Sequence, residues 1–252
     1  MQNYLMNQWG RCVIAGFAAI VLTAGPSSGA ILDLTTGSPG VGLGNSFMVS
    51  DGGISATVSG LTSDDVAPTF IAGEINVDAG EGGVGICNTS EILLGCSELS
   101  DAVGNAGFIR EFVLIDFNQS VFLNEAVITN QSSLSVPGTD TDVSFFVGTG
   151  VTPDFLTLTP GNLGMIFNDP FNAPTLPSGG TQRTVNLKSY VATPVDWVLL
   201  GADLTDQNPE DFFRVTSVEM APVPIPNSML LFGTGLGMLL LYNVRRKYSS
   251  MT

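Results

Sequence analysis

The chain has 252 residues, no histidine, and twenty-three acidic side chains against eight basic ones, a formal net charge of −15. Without histidine, Ser-His-Asp and Cys-His catalytic arrangements and histidine-based zinc or copper sites are excluded. All twenty-three acids fall between Asp33 and Glu219, where only Arg110, Arg183, Lys188 and Arg214 oppose them; nucleic acid, which is bound through clustered Lys and Arg, is thereby excluded as a partner.

At the N-terminal end, Arg11 precedes an apolar stretch from Cys12 to Ala24, followed by Gly25-Pro26-Ser27-Ser28-Gly29-Ala30. The pattern predicts a secretory signal peptide over residues 1–30. Its apolar stretch is too short to cross a hydrocarbon core of ~30 Å comfortably as a helix, and Ser28 and Ala30 put small residues where a signal peptidase reads them. Cleavage is expected after Ala30, with an uncleaved anchor as the alternative. Cys12 lies ahead of the apolar stretch, the wrong side for a lipoprotein site.

Two cysteines remain beyond the signal peptide, Cys87 and Cys96. An even pair in an exported chain predicts a disulfide, which would restrain the unfolded chain by on the order of 2–3 kcal/mol. A metal pair is the sharper alternative, but two thiols without histidine leave its ligand set incomplete.

Residues 31–221 are expected to form the exported domain. Runs rich in Val, Ile, Thr and Phe recur between clusters of Gly, Pro, Asn and Asp, which predicts strands over 54–58, 70–77, 108–117, 121–129, 143–147, 184–187, 197–200 and 212–219. The segments 109–117 and 121–128, separated by Asn118-Gln119-Ser120, give the strongest hairpin pattern. Phe112 and Leu114 alternate there with Val113, Ile115 and Phe117, so this strand is apolar on both faces and belongs inside a packed structure. The fold class expected is all-β, a jelly-roll-like β-sandwich, with a barrel or a solenoid as alternatives. The absence of a fixed-period repeat weighs against the solenoid. Gly37 to Gly53 and Pro170 to Gly180 read as loops.

Several side chains in this domain invite a functional reading. Phe155, Phe167, Phe171, Trp197, Phe212 and Phe213 could stack on sugar rings, although large aromatics in this composition are more simply core residues. Carboxylates are the obvious acid–base groups, and a glycosidase needs only two of them about 5–9.5 Å apart; with so many acids, chance pairs are easy to find. Calcium needs only oxygen ligands. Asp140 and Asp142 in one turn, and Asp203, Asp206, Glu210 and Asp211 ahead of the last strand, are its candidate ligands. Neither group has EF-hand spacing, and surface charge explains both. No cofactor is expected on balance.

Residues 222–252 carry the clearest signal. Val223-Pro224-Ile225-Pro226 leads into an uncharged apolar run from Met229 to Val244, closed by Arg245-Arg246-Lys247. As a helix, residues 229–244 would rise about 24 Å, a short transmembrane span that Ile225 to Ser228 would extend near the interface. The basic cluster should stay cytoplasmic and stop transfer, leaving the acidic domain outside. Gly233 and Gly237 form a Gly-x-x-x-Gly pair, which suits close helix approach or the ordinary glycine content of membrane helices.

In this order at the C-terminal end, Val223-Pro224-x-Pro226, Leu231-Phe232-Gly233-Thr234-Gly235-Leu236 and Arg245-Arg246-Lys247 resemble the PEP-CTERM sorting domain of exported proteins of Gram-negative bacteria. Ile225 stands where the name-giving motif has Glu, as in a Val-Pro-hydrophobic-Pro variant. The resemblance covers roughly the last twenty-five residues. It implies recognition by an exosortase, a membrane-embedded cysteine transpeptidase-like enzyme, with removal of the C-terminal helix after a transient stay in the inner membrane. It also implies association with exopolysaccharide or biofilm matrix.

The function expected is therefore that of a structural or adhesive protein, not an enzyme, exported through the inner membrane to the outer surface or the extracellular space. Its rivals are a glycan-binding module, a carboxylate-dependent glycoside hydrolase, and a permanent one-span membrane protein whose tail is never cut.

Overall fold

In the computed structural model, twenty-one consecutive residues, Arg110–Asn130, form one strand, β7, and the rest of the sheet is built along its two edges. The structure describes residues 29–36, 45–63, 69–78, 83–87, 103–104, 110–130, 143–159, 161–162, 171–172, 182–202, 212–224, 235 and 237–239. The chain divides into two units, Met1–Pro222 and Val223–Thr252. Among the described residues the first unit is an all-β structure with a single sheet of twelve strands.

The other strands are β1 (Ala30–Asp33), β2 (Ser46–Asp51), β3 (Ile54–Ser63), β4 (Ile71–Asp78), β5 (Gly83–Cys87), β6 (Val103–Gly104), β8 (Val143–Gly148), β9 (Phe171–Asn172), β10 (Gln182–Asn186), β11 (Val195–Ala202) and β12 (Phe212–Pro222). Along one edge of β7 lie β11, opposite residues 112–121, and β10, opposite residues 125–129. Along the other lie β3, opposite 110–117, and β12, opposite 121–130. Strand β12 also meets β5 at Val215↔Val84, and β5, β4 and β3 pair in turn. The sheet thus returns on itself through β12-β5-β4-β3-β7.

Two β-bulges keep the apolar side chains of β7 and β12 on the inner face. On β7 the buried positions are Val113, Ile115, Phe117, Val121 and Leu123, then Ala126 and Ile128. Parity changes where Glu219↔Glu125 is followed by Met220↔Leu123, so Asn124 has no opposite number. Thr216 is the matching extra residue on β12, between buried Val215 and Val218. A one-residue slip would otherwise turn every later side chain to the wrong face. Polar contacts accompany both bulges. Asn124 Nδ2 donates to Glu219 Oε1 at 3.2 Å, and the Thr129 and Thr216 hydroxyls share a hydrogen bond of 2.7 Å.

The first half of β7 is apolar on both faces, as its sequence predicts. Val113, Ile115 and Phe117 face the main core, while Phe112 and Leu114 join a second core with Leu61, Phe70, Phe146, Phe155, Trp197 and Leu199. Phe155 belongs to a single 3₁₀ turn, Phe155–Thr157, capped by the Asp154 carboxylate. The Phe70 N–H donates to Leu158 O at 2.9 Å, which ties this turn to the approach of β4.

Three sequence expectations are corrected. The chain does not reverse at Asn118-Gln119-Ser120, because a tight hairpin turn needs positive φ and no described non-glycine residue has it. The three polar side chains are exposed, and Asn118 and Ser120 bond neighbouring elements instead. Gly37 to Gly53 is not all loop, since 46–51 forms β2. Its turn into β3 is made by Gly52 and Gly53, at φ 56° and 82°, two adjacent left-handed residues that suit a two-residue hairpin. Pro170 to Gly180 likewise contains β9.

Candidate functional site

Hydrogen bonds between distant parts of the sequence gather around residues 116–120 of β7 and at the start of β1. Ala30, the first residue of β1, lies opposite Met220, two residues before β12 ends. A Cβ placed on Gly29 would stand 3.3 Å from Met220 O. Entry and exit are therefore neighbours. Beside them, the Ile31 N–H donates to Asp51 Oδ2 at 2.9 Å, which holds the β2–β3 turn against β1.

Further bonds tie the turn region and the loop after β8 to the middle of β7. The Ser55 N–H donates to Asn118 Oδ1 at 3.0 Å, and two residues on Ser120 Oγ donates to Asp196 Oδ1 at 2.5 Å. Asp196 Oδ2 also accepts from the Gly150 N–H. Thr152 Oγ1 donates to Asp116 Oδ1 at 2.7 Å. Short-range sterics set the loop that carries these donors: Gly150 adopts φ 82°, conformation costly for a side chain.

Asp51, Asp116 and Asp196 each accept from a backbone or hydroxyl donor, so their charge fastens loops to strands. Among the described residues no three His, Cys, Asp or Glu side chains group closely enough to hold a metal ion. The arrangement joins the β2–β3 turn and the loop after β8 to β1, β7 and β11.

The sequence-predicted residues fall as follows. Val223 and Pro224 follow β12 directly and are exposed, Val223 by 37%. Ile225, Pro226 and the basic residues Arg245, Arg246 and Lys247 lie outside the described residues. Within the predicted span 229–244, Gly235 and Gly237–Leu239 are helical. Among the described residues no helix is long and apolar enough to cross a membrane. Cys87 ends β5 opposite Glu74, while Cys96 lies outside the described residues, as do Asp140, Asp142, Asp203, Asp206, Glu210 and Asp211.

Of the six aromatics considered for sugar stacking, Phe155, Trp197 and Phe213 are buried. Phe155 makes edge contacts with Phe70 and Trp197, with ring centroids 5.9 and 5.6 Å apart. These three are core. Phe167 lies outside the described residues, and Phe171 and Phe212 are described as strand residues through their backbone.

Sequence reasoning missed Ile31, Asp51, Asn118, Ser120 and Asp196 as the residues that make these bonds. Asp51-Gly52-Gly53 carries a turn signal, but the bonds join positions 20 to 76 residues apart, and no local pattern announces such pairs. Compared with known protein families and with curated proteins, the chain matches no family model and no curated protein.

Proposed function

We propose that this chain is an exported structural or adhesive protein of the Gram-negative cell surface or extracellular matrix, delivered by a C-terminal sorting segment that an exosortase removes. The observation that carries the reading is the adjacency of entry and exit: Ala30 opposite Met220, with Val223 and Pro224 exposed just after the last strand. A domain whose first and last strands begin and end side by side can fold outside the membrane while both apolar segments, 12–24 and 229–244, remain in it. Cutting near Pro226 then frees the domain with all its strands intact, since β12 ends at Pro222.

In this reading the two cores belong to a jelly-roll-like β-sandwich, and the acidic surface keeps the released domain soluble among matrix polysaccharides. Exopolysaccharide is the partner that the sorting resemblance implies. The buried state of Phe155, Trp197 and Phe213 argues against their serving as a sugar platform.

The test is intact mass and membrane fractionation of the full chain in a host with an exosortase and in the same host without it. Loss of the segment after about residue 226, with release from the inner membrane only when the enzyme is present, is the expected result. A tail uncut in both hosts would leave a one-span membrane protein and overturn the sorting reading.

A further inference from the structure

The bond between Ile31 and Asp51 has a chemical consequence if the chain is cut where its small residues suggest. In the uncut chain the Ile31 nitrogen is a neutral amide, 2.9 Å from Asp51 Oδ2 at an exposed position. Hydrolysis of the Ala30–Ile31 peptide bond consumes one water, leaves a carboxylate on Ala30, and turns that nitrogen into an α-ammonium. The carboxylate best placed to receive the new charge is already in contact with it.

We propose that the mature chain begins at Ile31 and that Asp51 is the seat of its α-ammonium. The inference rests on the export reading above. Three further observations support it. Ile31 has a half-exposed side chain, so a charge on its nitrogen stays near water and escapes the cost of burial. Leu32 and Leu34 are fully buried, so β1 remains anchored beyond the cut. The pairs Ile31↔Glu219, Leu32↔Val218 and Asp33↔Ser217 survive, and only Ala30↔Met220 is lost.

A cut one residue earlier would instead leave the charge on Ala30, which is 0% exposed in the uncut chain. Glu219 Oε1, which lies 3.5 Å from where a Cβ on Gly29 would stand, already accepts from Asn124. The Asp51 seat also links the new terminus to the β2–β3 turn, so the processed end is held in the sheet rather than left to fray.

The experiment compares exported protein with unexported full chain, each as wild type and as Asp51→Asn, in one detergent buffer. Asparagine keeps a carbonyl oxygen for an amide donor but has no charge for an ammonium. N-terminal sequencing of the exported protein should read Ile-Leu-Asp-Leu. Asp51→Asn should lower the unfolding midpoint of exported protein by about 2–4 °C more than that of the full chain, the scale of an exposed ion pair in a domain of this size. Cleavage at another bond would overturn the proposal while leaving export intact; no cleavage at all would overturn the export reading with it. A start at Ile31 with equal losses in both forms would sustain export and remove Asp51 from the role.

Discussion

Trp197 packs directly on Gly148, its cross-strand partner: a Cβ at position 148 would lie 2.0 Å from Trp197 Cζ2. Gly201 meets Phe112 in the same way, across the β11–β7 pair, at 2.3 Å from Cδ1. Both contacts are with ring atoms of side chains that are essentially unexposed, so neither ring has room to retreat. Each of Gly148→Ala and Gly201→Ala is expected to destabilise the domain by about 1–3 kcal/mol, the usual cost of overpacking a filled core. Urea unfolding of the purified protein measures it. A change within experimental scatter would mean that the second core is looser than its geometry indicates.

Phe155 is the keystone of that second core although it sits in a loop. Its ring lies between Phe70 and Trp197, and it closes the face of β7 and β11 that the main core does not reach. Phe155→Ala is expected to cost about 3–5 kcal/mol, as for other buried phenylalanines. Phe155→Leu, which keeps most of the volume, should cost less than half as much. Retention of the leucine variant on matrix polysaccharide should equal that of wild type. Selective loss of retention in a stably folded Phe155→Leu protein would return the aromatic cluster to the glycan-binding reading.

How much of this was legible in the sequence depends on how far apart the deciding residues lie. The alternation Phe112-Val113-Leu114-Ile115 announces a strand buried on both faces, and the structure bears that out. Six predicted strands correspond to β3, β4, β8, β10, β11 and β12. The hairpin expectation failed because polar Asn118-Gln119-Ser120 looks like a turn locally. Its polarity instead serves bonds to Ser55 and Asp196, far away in the chain. β1 and β2 were hidden for different reasons: Ala30 reads as the end of a signal peptide, and β2 is flanked by glycines that suggest loop. The bulges at Asn124 and Thr216 shift parity in mid-strand, which strict alternation cannot register.

Calcium makes a prediction that one measurement decides. The candidate ligands are the clusters at Asp140 and Asp142 and at Asp203, Asp206, Glu210 and Asp211, while Asp51, Asp116 and Asp196 already accept from N–H or O–H donors. Neither has the loop spacing of a dedicated site. The expected outcome is a thermal midpoint unchanged between millimolar calcium and excess chelator. A native-state site a hundredfold saturated would stabilise by about 2.7 kcal/mol, a shift of several degrees, so a rise of that size on adding calcium would establish one.

The proline spacing after β12 gives the proposed sorting segment a testable property. Pro222, Pro224 and Pro226 recur every second residue, and in an extended chain alternate residues direct their N–H groups to the same edge. Proline has no N–H, so that edge offers no donor to a neighbouring strand, and helix formation is opposed as well. β12 accordingly ends at Pro222, opposite Val121, and Pro224 is exposed beyond it. Replacing Pro224 and Pro226 together by Ala restores two donors and removes two fixed φ angles, so the segment gains access to strand and helix pairings that would hide it from a processing enzyme. The double variant is expected to accumulate as full-length precursor in the inner membrane of an exosortase-bearing host, with its domain as stable as that of wild type. Arg245, Arg246 and Lys247 replaced by Gln should instead weaken the stop-transfer signal and change the topology of the tail. Fractionation and intact mass separate the two defects. Processing of the double-Ala chain at the wild-type rate would show that the prolines do not act as the recognition element.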